Sequence, residues 1–212
     1  MYSRHWLMRA TRQMGVMAVW AALAGVLSLG AGSSIASEAQ AATLEGQRFE
    51  DTMVLSERTL RLNGLGLRGV AWIKAFVAGL YLSAPSKDAA QVLAMQGPKR
   101  IRLKIMLNAS SHELTKSLVG RIEDHEPEAV RAKFGDRLSR LGALIDSLGE
   151  LHPGDVVDLD FIPDKGVNLR FNDKLIGVPV AGEDLYRSVL KIFVGDHPVD
   201  RRMKEGLLRG GV

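Results

Sequence analysis

Arg68 is the side chain in this sequence best placed to do chemistry. It lies at the end of a glycine-rich stretch, Asn63 to Gly69, and a long apolar run through Leu82 follows it. A guanidinium is always charged and presents a planar fork, so it suits a carboxylate or a developing enolate. A cation at the mouth of a buried strand needs a partner. That partner could be an internal Asp or Glu, or it could be a ligand. Lys74, inside the apolar run, is either a second cation for the same ligand or a stem that snorkels to the sheet edge.

Other constellations carry less. His112-Glu113 is followed by Lys116 where a zinc-binding helix would need a second histidine. His125-Glu126 and Glu128 read as a solvated helix boundary. Gly64-Leu65-Gly66-Leu67-Arg68-Gly69 is followed by a strand rather than a helix, so a dinucleotide loop fails on context. There is no G-x-S-x-G elbow. Asp158 and Asp160 alternate onto one strand face, where solvent is the simplest surrounding. The chain has no cysteine, which removes thiol chemistry, disulfides and cysteine metal sites. No metal and no cofactor is implied.

The first residues read as a leader. Arg4, His5, Arg9 and Arg12 form a basic start, Met14 to Leu29 is uncharged and mostly apolar, and Ala39-Gln40-Ala41 resembles a cleavage site. Ser34-Ile35-Ala36 is a second such site. The apolar run is shorter than the roughly 20 residues a bilayer-spanning helix needs. The expectation is a signal peptide over residues 1–41, a single domain over 42–212, no stable membrane span after cleavage, and a periplasmic or secreted location. The leader carries three of the arginines and Glu38, so the formal charge of +4 falls to about +2 without it. That balance gives no reason to expect nucleic acid as a partner.

The elements that must position Arg68 follow in order. Arg48 to Leu55 reads as an edge strand. Leu60 to Leu82 reads as two strands joined by a turn at Asn63 to Gly69, the second buried on both faces. A short helix spans Asp88 to Met95. Lys99 to Leu107 alternates, with Arg100, Arg102 and Lys104 on a basic outer face. Ser110 and Glu113 form a capping box for a helix striped by Leu114, Leu118 and Ile122. Pro127 opens a second helix that runs to Leu148, with Gly149 as its left-handed cap. Its internal glycines, Gly135 and Gly142, could let it pack closely on a sheet. Val156 to Ile162, Val167 to Phe171 and Lys174 to Val178 form a meander. Gly182 to Val194 is the last long helix, and Pro198 to Leu208 a short one. The pattern is α+β: one antiparallel sheet with helices on one face.

Three segments taken together resemble the chalcone isomerase-like family: the Gly64–Gly69 stretch, the run Lys74-Ala75-Phe76-Val77-Ala78-Gly79-Leu80-Tyr81-Leu82, and the ending Val194-Gly195-Asp196-His197-Pro198-Val199. The resemblance covers nearly all of residues 42–212 in order. It implies an open-faced β-sandwich, an antiparallel sheet under a helical layer, with a cleft between them. The family includes enzymes that close a chalcone to a flavanone and non-enzymes that bind fatty acids. Arg68 matches the family arginine, which stabilises developing negative charge in the former and holds a carboxylate in the latter.

Counting from Gly79 and Tyr81, Phe76 stands where the enzymes carry a threonine. Leu114 falls near their tyrosine, Arg121 near their asparagine, and Ile192 on a polar position of the last helix. Such a cleft cannot organise water at a carbonyl, yet it could hold an aliphatic tail. The leading reading is a non-catalytic binder of a fatty acid or similar amphiphilic acid, with Arg68 on the acid and Phe76, Leu114, Arg121 and Ile192 as the other ligand-binding positions. The alternative is an intramolecular lyase or isomerase acting on an enone or phenolic substrate, with Arg68 as its catalytic group. A third reading is an envelope interaction protein using Arg100, Arg102 and Lys104.

Overall fold

The computed structural model describes residues 41–70 and 72–211. The expected leader therefore lies outside the described residues, apart from Ala41. The chain opens with a small hairpin, β1 (Ala41–Leu44) and β2 (Gln47–Glu50), followed by β3 (Thr52–Leu55), β4 (Arg58–Val70) and β5 (Ile73–Leu82). Then come α1 (Ala89–Ala94), β6 (Lys99–Ile105), β7 (Ala109–Ser110), α2 (Ser111–His125) and α3 (Glu128–Arg131). After a 3-10 turn at Ala132–Phe134 follow α4 (Arg137–Asp146), β8 (Glu150–Leu151), β9 (Val156–Ile162), β10 (Gly166–Phe171) and β11 (Lys174–Val180). Helices α5 (Glu183–Val194) and α6 (Arg201–Leu207) finish the fold.

Seven strands form one curled antiparallel sheet in the order β11-β10-β9-β6-β5-β4-β3. The α+β reading with helices on one face therefore holds. Strand β5 sits near the middle, and Val77 through Leu82 are buried on both faces. On one face Ala78, Leu80 and Leu82 join the main core with Leu118, Ile122, Leu141, Val189 and Phe193 of the helices. On the other face Val77 and Tyr81 form a second cluster with Leu60, Leu62 and Phe49 of the small hairpin. Phe49 lies so close over Gly79 that a Cβ there would come within 2.7 Å of its ring.

Several expectations need correction. The glycine-rich stretch is no turn: Asn63 to Gly69 is extended strand within β4, and the chain reverses between Val70 and Ile73. The glycines are needed because α6 lies directly on this strand. A Cβ on Gly64 would sit 2.1 Å from the Gly206 carbonyl oxygen, and one on Gly66 2.4 Å from that of Met203. Asn63 is fully buried, and its amide donates to the Ser86 and Leu207 carbonyl oxygens while accepting from the Ser86 N–H.

The helix expected from Pro127 to Leu148 is broken in two. Gly135 takes a positive φ of 54°, which L side chains rarely adopt, and α4 starts afresh beyond it. Gly142 does serve close packing, but against Thr115 and Val119 of α2 rather than a sheet. Gly149 takes the expected left-handed conformation. The edge strand expected over Arg48 to Leu55 is split between β2 and β3.

The basic face of β6 is not an open one. Arg100 is buried and faces Asp160 with paired N–H donors, Nη2 at 2.6 Å; Arg102 embraces Asp158 with two contacts at 2.8 Å. Arg100 also reaches Asp158 at 3.1 Å. Both aspartates are only 1% exposed, so the expectation that they face solvent was wrong. The register explains it, since Arg100 lies opposite Asp160 and Arg102 opposite Asp158 on neighbouring strands. Burial would weaken the Arg100 charge, but the bond to Asp160 outweighs it and holds the group ionised more firmly than usual.

Candidate ligand cavity

Arg68 stands near the end of β4, directly across from Phe76 on β5. Phe76 in turn lies across from Ile105 on β6. These side chains form the sheet side of a cavity of about 320 Å³. Helix α2 supplies Leu114 and Leu118, α5 supplies Ile192 and Phe193, and Val199 closes one side from the segment before α6. The walls are mostly aliphatic and aromatic, which suits a hydrocarbon chain. Glu113 and Ser117, both exposed, line the α2 side, together with Ser110.

Four of the five residues singled out from the sequence, Arg68, Phe76, Leu114 and Ile192, therefore line one cavity. Arg121 does not. It faces a separate hollow of about 120 Å³ with His125, Glu126, Lys191 and His197. Helix geometry explains the difference: Arg121, seven residues after Leu114, keeps nearly the same face of α2 but lies two turns, about 10 Å, further along it. In that hollow the rings of His125 and His197 stack at 4.8 Å, and the buried Glu126 carboxylate accepts from Ser188 and Lys191.

The residue that the sequence did not link to the site is Asp200. Its Oδ2 lies 3.4 Å from Arg68 Nη1, and its Oδ1 accepts the Met203 N–H at 3.0 Å to cap α6. The capping role is legible in an Asp that opens a helix, but its meeting with a residue far away in the chain is not. The Asp200 contact is the one hydrogen bond that the Arg68 guanidinium makes among the described residues. The rest of its donor fork remains available. The Arg68 side chain is 30% exposed, so the charge is neither stranded nor fully solvated.

Lys74 turns away from this cavity and pairs with Glu45 in the small hairpin. A register shift between Arg68 and Gly69 separates its surroundings from those of Arg68. The two tyrosines of the described residues also lie elsewhere. Tyr81 donates to the Glu50 carbonyl oxygen at 2.9 Å, and Tyr186 to that of Leu159 at 3.2 Å. Burial pushes the Tyr81 hydroxyl up from 10 to about 12 and holds that of Tyr186 well above its ordinary value. Among the described residues, no group of three or more His, Asp or Glu could hold a metal ion.

A family model described as chalcone isomerase-like matches residues 41–209. The chain belongs to the chalcone isomerase-like family. Among solved structures it is similar to the crystal structure of a fatty-acid binding protein from Arabidopsis thaliana, with a TM-score of 0.62 and 17% identity over 80% of this chain and 96% of that one. At that identity the likeness speaks for the shared fold. No curated protein sequence matches this chalcone isomerase-like chain. The family assignment accounts for the curled sheet, the helical layer on one face and a cavity between the two.

Proposed function

We propose that this protein is a non-catalytic binder of a fatty acid or similar amphiphilic acid. The tail would lie among Phe76, Leu114, Leu118 and Ile192, and the acid group would meet Arg68. One observation carries the reading: an apolar cavity of about 320 Å³ has at one side a guanidinium whose donor fork is mostly unused within the protein. The similarity to a plant fatty-acid binding protein supports it. The isomerase alternative draws less support, because Phe76, directly opposite Arg68, and Leu114 in the cavity wall carry no hydroxyl to organise water at a carbonyl.

Export through the amino-terminal leader belongs to the same proposal, and amino-terminal sequencing of the protein recovered from cell envelope fractions tests it. Native mass spectrometry tests the binding. Protein purified without detergent is expected to carry an acid that organic extraction releases, and the Arg68→Ala variant to lose it. An apo mass that does not shift on adding fatty acids, together with Arg68-dependent turnover of a chalcone panel, would replace the binder with the enzyme.

A further inference from the structure

The β4–β5 hairpin ends in large apolar side chains standing in solvent. Trp72 is 87% exposed and Ile73 is 54% exposed. A tryptophan left this open on a hairpin tip asks for a partner. Beside the tip runs a groove of about 840 Å³ between the small hairpin, β4 and α6. Ile73, Lys74, Arg201, Arg202 and Arg209 line it, against Glu45 and Asp200. Both acids are engaged, Glu45 by Lys74 and Asp200 by Arg68. Among the described residues Arg201, Arg202 and Arg209 meet no carboxylate, and all three are exposed. An apolar tip thus adjoins a groove with surplus positive charge.

The chemistry of the partner follows from that pairing. A small soluble anion would engage the arginines and leave Trp72 and Ile73 in water. A second copy of this chain would bring the same arginines against each other. A bilayer with anionic headgroups satisfies both features: tryptophan favours the headgroup level, and basic side chains near the surface gain from the phosphates. We propose that this end of the molecule docks on a bilayer bearing anionic phospholipids, with Trp72 and Ile73 at the headgroup level and Arg201, Arg202 and Arg209 on the phosphates. The Arg68–Asp200 pair stands between this groove and the acyl-sized cavity, so docking would bring the charged end of that cavity to the lipid surface. The inference does not depend on what the cavity binds.

The test uses residues 37–212, which form a compact unit of their own and contain Trp72 as their sole tryptophan. The protein is floated with vesicles of phosphatidylcholine alone or mixed with phosphatidylglycerol, in low and high salt, while Trp72 emission is recorded. Flotation is expected with the mixed vesicles only, lost in high salt, and accompanied by a blue shift. Arg201→Gln/Arg202→Gln should weaken binding about thirtyfold, taking about fivefold per basic residue near the surface. Trp72→Ser should also reduce flotation, and both variants should melt with the parent because the changed side chains are exposed. Equal flotation on both vesicle types, no flotation at low salt, or an unchanged Trp72 emission on vesicles would overturn the proposal. A blue shift that grows with protein concentration in the absence of lipid would overturn it too, assigning the tip to self-association.

Discussion

Asp200 divides its carboxylate between a helix and an arginine: Oδ1 caps α6 through the Met203 N–H, and Oδ2 faces Arg68 at 3.4 Å. The two duties can be separated. Asp200→Asn keeps an oxygen for the cap, since asparagine caps about as well as aspartate. It removes the charge that competes for the guanidinium. The affinity for a fatty acid should rise severalfold with little change in melting temperature. Asp200→Ala loses the cap as well and should cost about 1 kcal/mol of stability. Arg68→Ala should lower affinity by roughly tenfold to a hundredfold, the loss of a charge-assisted bond, while leaving stability nearly intact. Calorimetric titration and thermal melts check all three. A fall in affinity in Asp200→Asn would mean that Asp200 orients Arg68 rather than competes for it.

Gly66→Ala should be strongly destabilising although it adds a single methyl group. The added Cβ would sit 2.4 Å from the Met203 carbonyl oxygen, so α6 would have to lift from β4. Overpacking of this kind costs about 1–3 kcal/mol. Gly120→Ala is the control, because nothing lies within 4 Å of a Cβ there. Equal melting temperatures for the two variants would contradict the close helix–strand contact.

The buried pairs between β6 and β9 make a third test. Asp160→Ala would leave Arg100 inside the protein without its main acid, at a cost of about 3–5 kcal/mol. Replacing both, Arg100→Met/Asp160→Leu, should recover much of that loss, because the cost comes from a buried guanidinium left with only its share of Asp158. Urea denaturation of the single and double variants measures it. A single variant as stable as the parent would mean that Asp158, 3.1 Å from Arg100, holds the charge on its own.

Tyrosine ionisation supplies a pH test. In residues 37–212 the only tyrosines are Tyr81 and Tyr186, and both are pushed upward, Tyr81 to about 12. At pH values between 10 and 12 the folded state holds protons that the unfolded chain has released. The stability this contributes is fully present below pH 10 and is lost as pH rises through about 12. Tyrosinate absorbance should therefore be nearly absent from the folded protein at pH 10 and should appear at once in denaturant. A normal titration in the native protein would show that the hydroxyls are solvated.

Periodicity carried much of the fold. The alternation in Lys99–Ile105 and Val156–Ile162 and the four-residue stripe in α2 mark real elements. Periodicity says which residues share a face, but not what covers that face. Alternation alone thus makes Arg100 and Arg102 look like a solvated surface, whereas the facing aspartates of β9 pair with both and Met53 of β3 lies against Arg100. The glycines of β4 misled for a related reason. Locally they look like a turn, and only the arrival of α6 explains why side chains are missing there. At the cavity, four positions are legible because each lies on a regular strand or helix, whereas Arg121 shares the face of Leu114 but stands two turns along α2, and the length of the cavity is not written in the periodicity. Asp200 was invisible as a site residue because its link to Arg68 depends on how α6 docks.

That docking has a consequence for the order in which the chain can be completed. Strand β4 is made early, but its bare glycine backbone and the buried Asn63 amide find partners in Gly206 and Leu207 of α6, Leu207 coming 144 residues after Asn63. A contact of such long sequence separation closes late. A nascent chain in which α6 has yet to dock would hold the β4 glycines without the helix that packs on them. Helix α6 thus acts as a latch, and a truncation that removes it should trap the protein in a form that chaperones and proteases recognise.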